Sequence, residues 1–284
     1  MKDCIIIGSG PAGISSALTL KANGKDFLLF GKKELSQKVV KAEKIRNYPG
    51  LSNITGKEFQ KALIRHLTDM EIAITEEKVL NVYPLKDKFG VATAQGNYYE
   101  SRSLILACGV ENIKTIDGEQ EFLGRGVSYC ATCDGFLYKD KKIAVLCTSK
   151  ELEDEVLHLA HFAQEVYLIA MYKKVSLQKE NIKLMQKMPK RIIGDKRVTA
   201  LEFEDKKLEV DGFFALRESV SPALLMEGIT MQNGHVVVNR EMQTNISGCY
   251  AVGDCVGKPY QYAKAVGEGN VAAHSVTQFL NAKK

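Results

Sequence analysis

Cys4-Ile5-Ile6-Ile7-Gly8-Ser9-Gly10-Pro11-Ala12-Gly13 reads as a buried strand running into a glycine-rich turn and then a helix. Each glycine has a mechanical task. Gly8 permits the tight turn, Gly10 lets the backbone approach a pyrophosphate, and Gly13 allows helix and strand to pack closely. The anion then sits at the positive end of the helix dipole. A helix from Ile14 to Ala22 and a strand from Asp26 to Phe30 complete a βαβ unit. The acid that would hold a ribose at the end of that second strand is missing, because Phe30-Gly31 stands there. Its absence argues against a simple NAD site.

The same pattern starts again at Ile143-Ala144-Val145-Leu146, but Cys147-Thr148-Ser149-Lys150-Glu151-Leu152 follows, with no glycine. A helix over Glu151 to Ala163 and a strand at Glu165 to Ile169 make this a second βαβ unit. Near the C-terminus, Gly248 to Asp254 reads as a strand ending in Gly-Asp, followed by Gln261 and by Gly267-Glu268-Gly269. Asp254 there suits a ribityl chain. A helix opening at Gly267–Gly269 would face the electron-rich pyrimidine of a flavin. Together the first and last motifs point to FAD. The architecture expected is α/β: one Rossmann-like domain interrupted by a smaller second one.

Between the two βαβ units lies Cys130-Ala131-Thr132-Cys133-Asp134-Gly135. A zinc site would need four ligands, and no second pair or histidine cluster has suitable spacing, so no metal is expected. Two unrelated buried thiols are the bland alternative. A redox dithiol is favoured, because the spacing suits a small disulfide ring and a helix N-terminus would stabilise a thiolate. Asp134 is a natural proton carrier beside it.

The 284-residue chain is long enough for two domains. Its longest apolar runs, such as Leu104 to Cys108, are strand-sized and far short of a membrane span. The apolar run after Lys2 ends in Gly-Ser-Gly rather than a cleavage site, so a cytoplasmic protein is expected. Seven cysteines, an odd number, do not make a disulfide framework, and Cys4, Cys108, Cys147, Cys249 and Cys255 are expected as packed thiols. The net charge of +5 is modest, but basic residues crowd Lys173 to Arg197. No nucleic-acid motif accompanies them; a solvated face is the common reading of such a run, and an acidic protein partner is the other.

These motifs, in this order and over essentially the whole chain, resemble the low-molecular-weight thioredoxin reductases. The resemblance is carried by the N-terminal glycine motif, Asn47-Tyr48-Pro49-Gly50, Ala107-Cys108-Gly109, the Cys-Ala-Thr-Cys-Asp-Gly segment and the terminal Gly-Asp. It implies a homodimeric FAD enzyme with a flavoprotein disulfide reductase fold. FAD would be held by Gly8, Gly10, Pro11, Ala12, Gly13, Asn47, Gly109, Gly253, Asp254 and Gln261. It further implies that Cys133 faces the flavin and forms the charge-transfer thiolate, Cys130 attacks the disulfide of thioredoxin, and Asp134 is the general acid–base. The flavin domain is expected over 1–112 and 243–284, and the inserted dithiol domain over 113–242.

Two departures from the family matter. Its second βαβ unit carries Gly-Gly-Gly-x-x-Ala and later His-Arg-Arg, which here have become Cys147, Thr148, Ser149 and Leu152, and Ala170-Met171-Tyr172. Side chains at Cys147 and Ser149 would block a pyrophosphate, Leu152 would crowd the helix, and Glu151 and Glu153 add negative charge where phosphate should bind. No NADPH or NADH is expected. Tyr260 also stands where the family usually has Arg, beside Gln261, so a changed isoalloxazine environment is expected.

The variant most resembled is the ferredoxin-dependent flavin thioredoxin reductase. It implies electrons passing from ferredoxin (or flavodoxin) through FAD and the Cys130/Cys133 dithiol to thioredoxin. Plant-type ferredoxins lie near about −400 mV and thioredoxin near about −270 mV. Two electrons crossing that gap release on the order of 6 kcal/mol. Three other readings stay open: an oxygen-using dithiol oxidase, an NADPH enzyme with an atypical site, and a non-catalytic redox sensor. Lys173, Lys174 and Lys179 are the expected docking lysines if ferredoxin binds the basic stretch.

Overall fold

The computed structural model describes residues 1–35, 37–40, 42–110, 115–217 and 221–282. The chain divides into two compact units, Met1–Val110 with Val220–Lys284, and Glu111–Ser219. The first opens with β1 (Lys2–Ile7), α1 (Pro11–Ala22) and β2 (Phe27–Phe30), the βαβ unit expected from the fingerprint. The short α2 (Gln37–Val40) precedes α3 (Gly56–Asp69), which begins on a capping box: Thr55 and Glu58 each bond the other's backbone N–H. Strands β3 (Ile74–Thr75), β4 (Val79–Pro84), β5 (Phe89–Thr93) and β6 (Tyr98–Leu106) follow.

The second unit holds β7 (Val127–Ser128), the four-residue helix α4 (Ala131–Asp134), β8 (Lys142–Cys147), α5 (Glu153–Phe162), β9 (Glu165–Ala170) and β10 (Ile182–Met185). A separate antiparallel sheet of β11 (Arg191–Gly194), β12 (Val198–Glu202) and β13 (Lys207–Glu209) leads to β14 (Gly212–Leu216). The parallel sheet runs β10-β9-β8-β14-β7. Its inner strands are apolar on both faces, with Ile143 to Cys147 and Phe213 to Leu216 all fully buried, as a sheet covered on both sides requires.

The chain then returns to the first unit through α6 (Pro222–Leu225), the hairpin β15 (Met231–Gln232) and β16 (His235–Val236), β17 (Cys249–Ala251) and the long α7 (Tyr262–Ala282). The expected return at 242/243 is therefore corrected: the second unit ends at Ser219. Leu225, Met226, Ile229 and Val236 are buried in one cluster with Ile5, Phe30 and Leu104, so their apolar surface belongs to the first unit's core. The expected outward crossing at 112/113 lies outside the described residues.

What this sheet does for the site is align strand ends. β1 runs parallel to β2 and β6, with Ile7 opposite Phe30 and Leu106. β6 pairs with β5 antiparallel up to Ser101 and gives the same edge to β17 from Leu104 onward, bringing Ala251 opposite Leu106. Four parallel strands thus end at one edge. The loops that leave there begin at Gly8, Gly31, Ala107 and Val252, the edge at which ligands of open α/β sheets bind.

Candidate active site

At that edge the fingerprint glycines divide their work much as their spacing suggests. A Cβ on Gly8, whose φ is +120°, would lie 2.2 Å from the Ala107 carbonyl oxygen, and one on Gly13 would lie 1.8 Å from that of Gly8. Both positions are closed by backbone. Gly10 differs: a Cβ there would meet nothing within 4 Å. Gly10 is the N-cap of α1, with Pro11 following at the first turn. An open cradle over a helix N-terminus fits the phosphates of a dinucleotide. After β2, Ser9 Oγ fills the space beside Gly31 and bonds both the N–H and the carbonyl of Lys32, at 3.0 Å each.

Asn47 and Gln261, far apart in the chain, are brought together by a hydrogen bond from Asn47 Nδ2 to Gln261 Oε1. Gly253 sits against Ala12, to which a Cβ would approach within 3.0 Å. Gly253 and Asp254 open a 3₁₀ turn that runs to Val256. Gly109, at φ +68°, faces open space. Gly8, Gly10, Gly13, Gly109, Gly253 and Asp254 therefore lie at the loops leaving one sheet edge, and the open cradle at Gly10 fits the pyrophosphate of FAD.

One expectation is corrected. Gly267 and Gly269 do not open the last helix, because α7 starts at Tyr262 and carries both inside it. The glycine at 269 serves packing: a Cβ there would lie 2.2 Å from the Ala12 carbonyl oxygen of α1. Tyr260, 40% exposed, hydrogen-bonds His235 Nε2 of the hairpin at 2.7 Å, a contact that sequence reading missed.

In the second unit, Cys130 and Cys133 are joined by a disulfide, with Cα atoms 5.4 Å apart. Cys130 is the N-cap of α4, and its Sγ accepts the Cys133 N–H at 3.1 Å, with Thr132 Oγ1 3.4 Å away. That N–H would stabilise charge on the Cys130 sulfur once the bond is reduced. Ser128 Oγ holds the Cys130 backbone, accepting its N–H at 3.1 Å. Asp134 closes α4, its N–H reaching the Cys130 carbonyl at 3.4 Å. Tyr129, next to the pair, has Arg217 over its ring, and Arg217 forks onto the fully buried Glu119, one arm at 2.9 Å. Burial and Glu119 both push the Tyr129 hydroxyl up.

The second fingerprint is filled by its own side chains. Cys147 is fully buried, its Sγ 3.2 Å from the Ser149 carbonyl, and burial pushes its thiol up to about 11. Ser149 caps the 3₁₀ turn ahead of α5 by accepting the Glu151 N–H, and Leu152 packs into the core. Glu153, the first residue of α5, is buried as a carboxylate. It accepts the Tyr172 hydroxyl at 2.9 Å, the Ser176 N–H at 3.0 Å and the Ser176 hydroxyl. Burial pushes this carboxyl up, but the Ser176 and Tyr172 hydrogen bonds outweigh it and hold it below the usual range. The signal for Tyr172 was its position in Ala170-Met171-Tyr172, the segment compared with His-Arg-Arg in the resembled family; nothing in the sequence pointed to Ser176.

Most of the basic stretch is committed internally. Lys183 pairs with Glu165, Lys187 with Asp205 at 2.9 Å, and Arg191 with Glu202 at 3.3 Å. Of the expected docking lysines, Lys179 donates to the Ala160 carbonyl at 2.7 Å, while Lys173 and Lys174 are exposed. Among the described residues no helix is long and apolar enough to cross a membrane.

A parallel sheet with a glycine cradle at its carboxyl edge, and a Cys-x-x-Cys disulfide in a second Rossmann-like unit, define a flavoprotein disulfide reductase fold. The chain belongs to the pyridine nucleotide-disulphide oxidoreductase family, whose model matches residues 2–269. Within that family it is an oxidoreductase of the thioredoxin reductase type. It is 32% identical to the thioredoxin reductase of Aquifex aeolicus over 99% of this chain and 94% of that protein. It superposes on a ferredoxin-flavin thioredoxin reductase from Clostridium acetobutylicum with a TM-score of 0.93 at 42% identity, covering 99% of this chain and 98% of that one. A thioredoxin reductase from Gloeobacter violaceus matches with a TM-score of 0.81 at 30% identity, over 100% and 95% of the two chains.

Proposed function

We propose that this flavoprotein takes electrons from reduced ferredoxin, not from NADPH, and delivers them through FAD and Cys130/Cys133 to the disulfide of thioredoxin. The observation that carries the reading is Glu153. Helix α5 presents its N-terminus where a pyridine nucleotide's pyrophosphate would bind, and a buried carboxylate held by Tyr172 and Ser176 stands there. A phosphate would meet that fixed negative charge in a low-dielectric site, with the glycine approach closed by Cys147 and Ser149. The likeness to the Clostridium acetobutylicum ferredoxin-flavin thioredoxin reductase supports the same donor.

In this reading the first unit, Met1–Val110 with Val220–Lys284, holds FAD, and the second holds the dithiol. FAD, when bound, supplies the exchange between one-electron donors and two-electron thiol chemistry. The chain's own residues do the rest. Gly8 to Gly13 cradle the pyrophosphate, Asp254 holds the ribityl chain, and Asn47 and Gln261 brace each other beside it. Cys130, as thiolate, attacks the thioredoxin disulfide, and Cys133 displaces the substrate thiol from the mixed disulfide. Asp134 carries the proton that the leaving thiolate takes up. The protein would act as a homodimer in the cytoplasm.

An anaerobic titration of the yellow holoprotein with NADPH, NADH and then reduced ferredoxin tests this. Bleaching by ferredoxin alone, reversed by oxidised thioredoxin, is the expected result. Bleaching by stoichiometric NADPH would overturn it.

A further inference from the structure

The turn that carries Asp254 is tied to α7 by two side chains that have no place in the expected flavin set. Lys264 Nζ donates to the carbonyl oxygens of Gly253 and Gly257, at 2.7 Å each. It also pairs with Glu268, one helical turn further on, at 3.1 Å. Glu268 Oε2 in turn accepts the Gly253 N–H at 2.8 Å. Both backbone groups of Gly253 are therefore bonded to α7 side chains, and the far end of the turn is bonded to the same lysine.

The turn needs such bracing. Gly253 and Gly257 both have positive φ, +79° and +130°, and glycine loses more conformational freedom on ordering than any other residue. An exposed Lys–Glu pair at this spacing would be a helix-surface contact of little consequence. Here each side chain is only 18% exposed, and each is bonded across to the turn's backbone.

We propose that Lys264 and Glu268 are positioning residues for the flavin. They hold the turn from Gly253 to Gly257 in the shape that presents Asp254 to the cofactor, and the proposal rests on the FAD reading above. The pair acts as a clamp through hydrogen bonds; charge balance alone does not account for bonds to two carbonyls and an N–H.

The test is release of FAD from the purified holoprotein on dilution, followed by free-flavin fluorescence, together with the visible circular dichroism of the bound flavin. Lys264→Met and Glu268→Leu are each expected to weaken FAD binding at least tenfold and to change the visible dichroism, with far-UV dichroism unchanged. Glu268→Gln, which keeps an acceptor for the Gly253 N–H, is expected to stay within about threefold of wild type. The double variant Lys264→Met/Glu268→Gln restores neutrality without the clamp and should bind no better than Lys264→Met. Should Lys264→Met fail to fold, the contrast between Glu268→Leu and Glu268→Gln decides the matter. Equal FAD retention in all variants, or recovery in the double variant, would overturn the clamp alone. A wild-type protein that binds no FAD would overturn the flavin reading and the clamp with it.

Discussion

The hydroxyl of Tyr172 donates to Glu153 at 2.9 Å, so the residue standing where the family has arginine holds a carboxylate at the N-terminus of α5. The chain supplies internally the anion that this helix end attracts. On the proposed reading, restoring a nucleotide site would take more than one change, because Cys147 and Leu152 are buried and Ser149 caps the turn ahead of α5.

Tyr172→Phe removes one of the three hydrogen bonds to Glu153 and should destabilise the second unit by about 1 kcal/mol at pH 7. Glu153's carboxyl is depressed in the folded state, so its contribution is present above the unfolded value and lost as pH falls through the folded one. The variant's penalty should therefore shrink below the ordinary glutamate value of about 4.3. Urea denaturation at neutral pH and near pH 3.5 reads this, and a penalty independent of pH would mean that packing alone was lost.

Two glycine substitutions separate the fold from the cofactor. Gly13→Ala drives a methyl into the Gly8 carbonyl, a backbone atom that cannot swing aside, and should cost roughly 1–3 kcal/mol or more of stability. Gly10→Ala enters open space at an ordinary φ of −78°, so the fold should hold to within about 0.5 kcal/mol. Its methyl would instead meet the phosphates and lower FAD affinity. Denaturation of the apoprotein and FAD titration of each variant measure the two effects. Equal loss of affinity with unchanged stability in both would contradict the division.

The fingerprint glycines, the dithiol and both βαβ units were legible because each is written within a few consecutive residues. What escaped was long-range. Glu119 and Arg217 are 98 residues apart in the chain and meet only in the fold, and Lys264 of α7 reaches back 11 residues to the Gly253 carbonyl. The start of α7 was misread because glycine inside a helix is disfavoured, so Gly267 and Gly269 looked like an opening. Close approach to Ala12 outweighs that cost at 269. The segment from Pro222 to Val236 carries only a four-residue helix and two-residue strands, too short to reveal by periodicity which core it would join.

If an acidic donor approaches the basic stretch, only lysines free to meet it can contribute. Lys173→Glu with Lys174→Glu should slow reduction by ferredoxin several-fold at low salt and flatten its salt dependence. Lys179→Glu should instead act on folding, since that side chain bonds the end of α5 at the Ala160 carbonyl. Stopped-flow flavin reduction across ionic strengths distinguishes these. Unchanged rates in the Lys173/Lys174 variant would move the docking surface elsewhere.

The two cysteines are not equivalent in their backbone setting, and the proposed division of labour between them can be tested on that inequality. Cys130 Sγ accepts the Cys133 N–H from the N-cap position, so on reduction the charge is better held on Cys130. Cys133→Ser, which leaves Cys130 as sole nucleophile, should trap a mixed disulfide with thioredoxin, visible by non-reducing electrophoresis and mass spectrometry. Cys130→Ser should trap little, and both variants should lose turnover. Trapping by Cys130→Ser instead would reverse the assignment: the thiol at the N-cap would then serve the flavin, and its neighbour one turn on would serve the substrate.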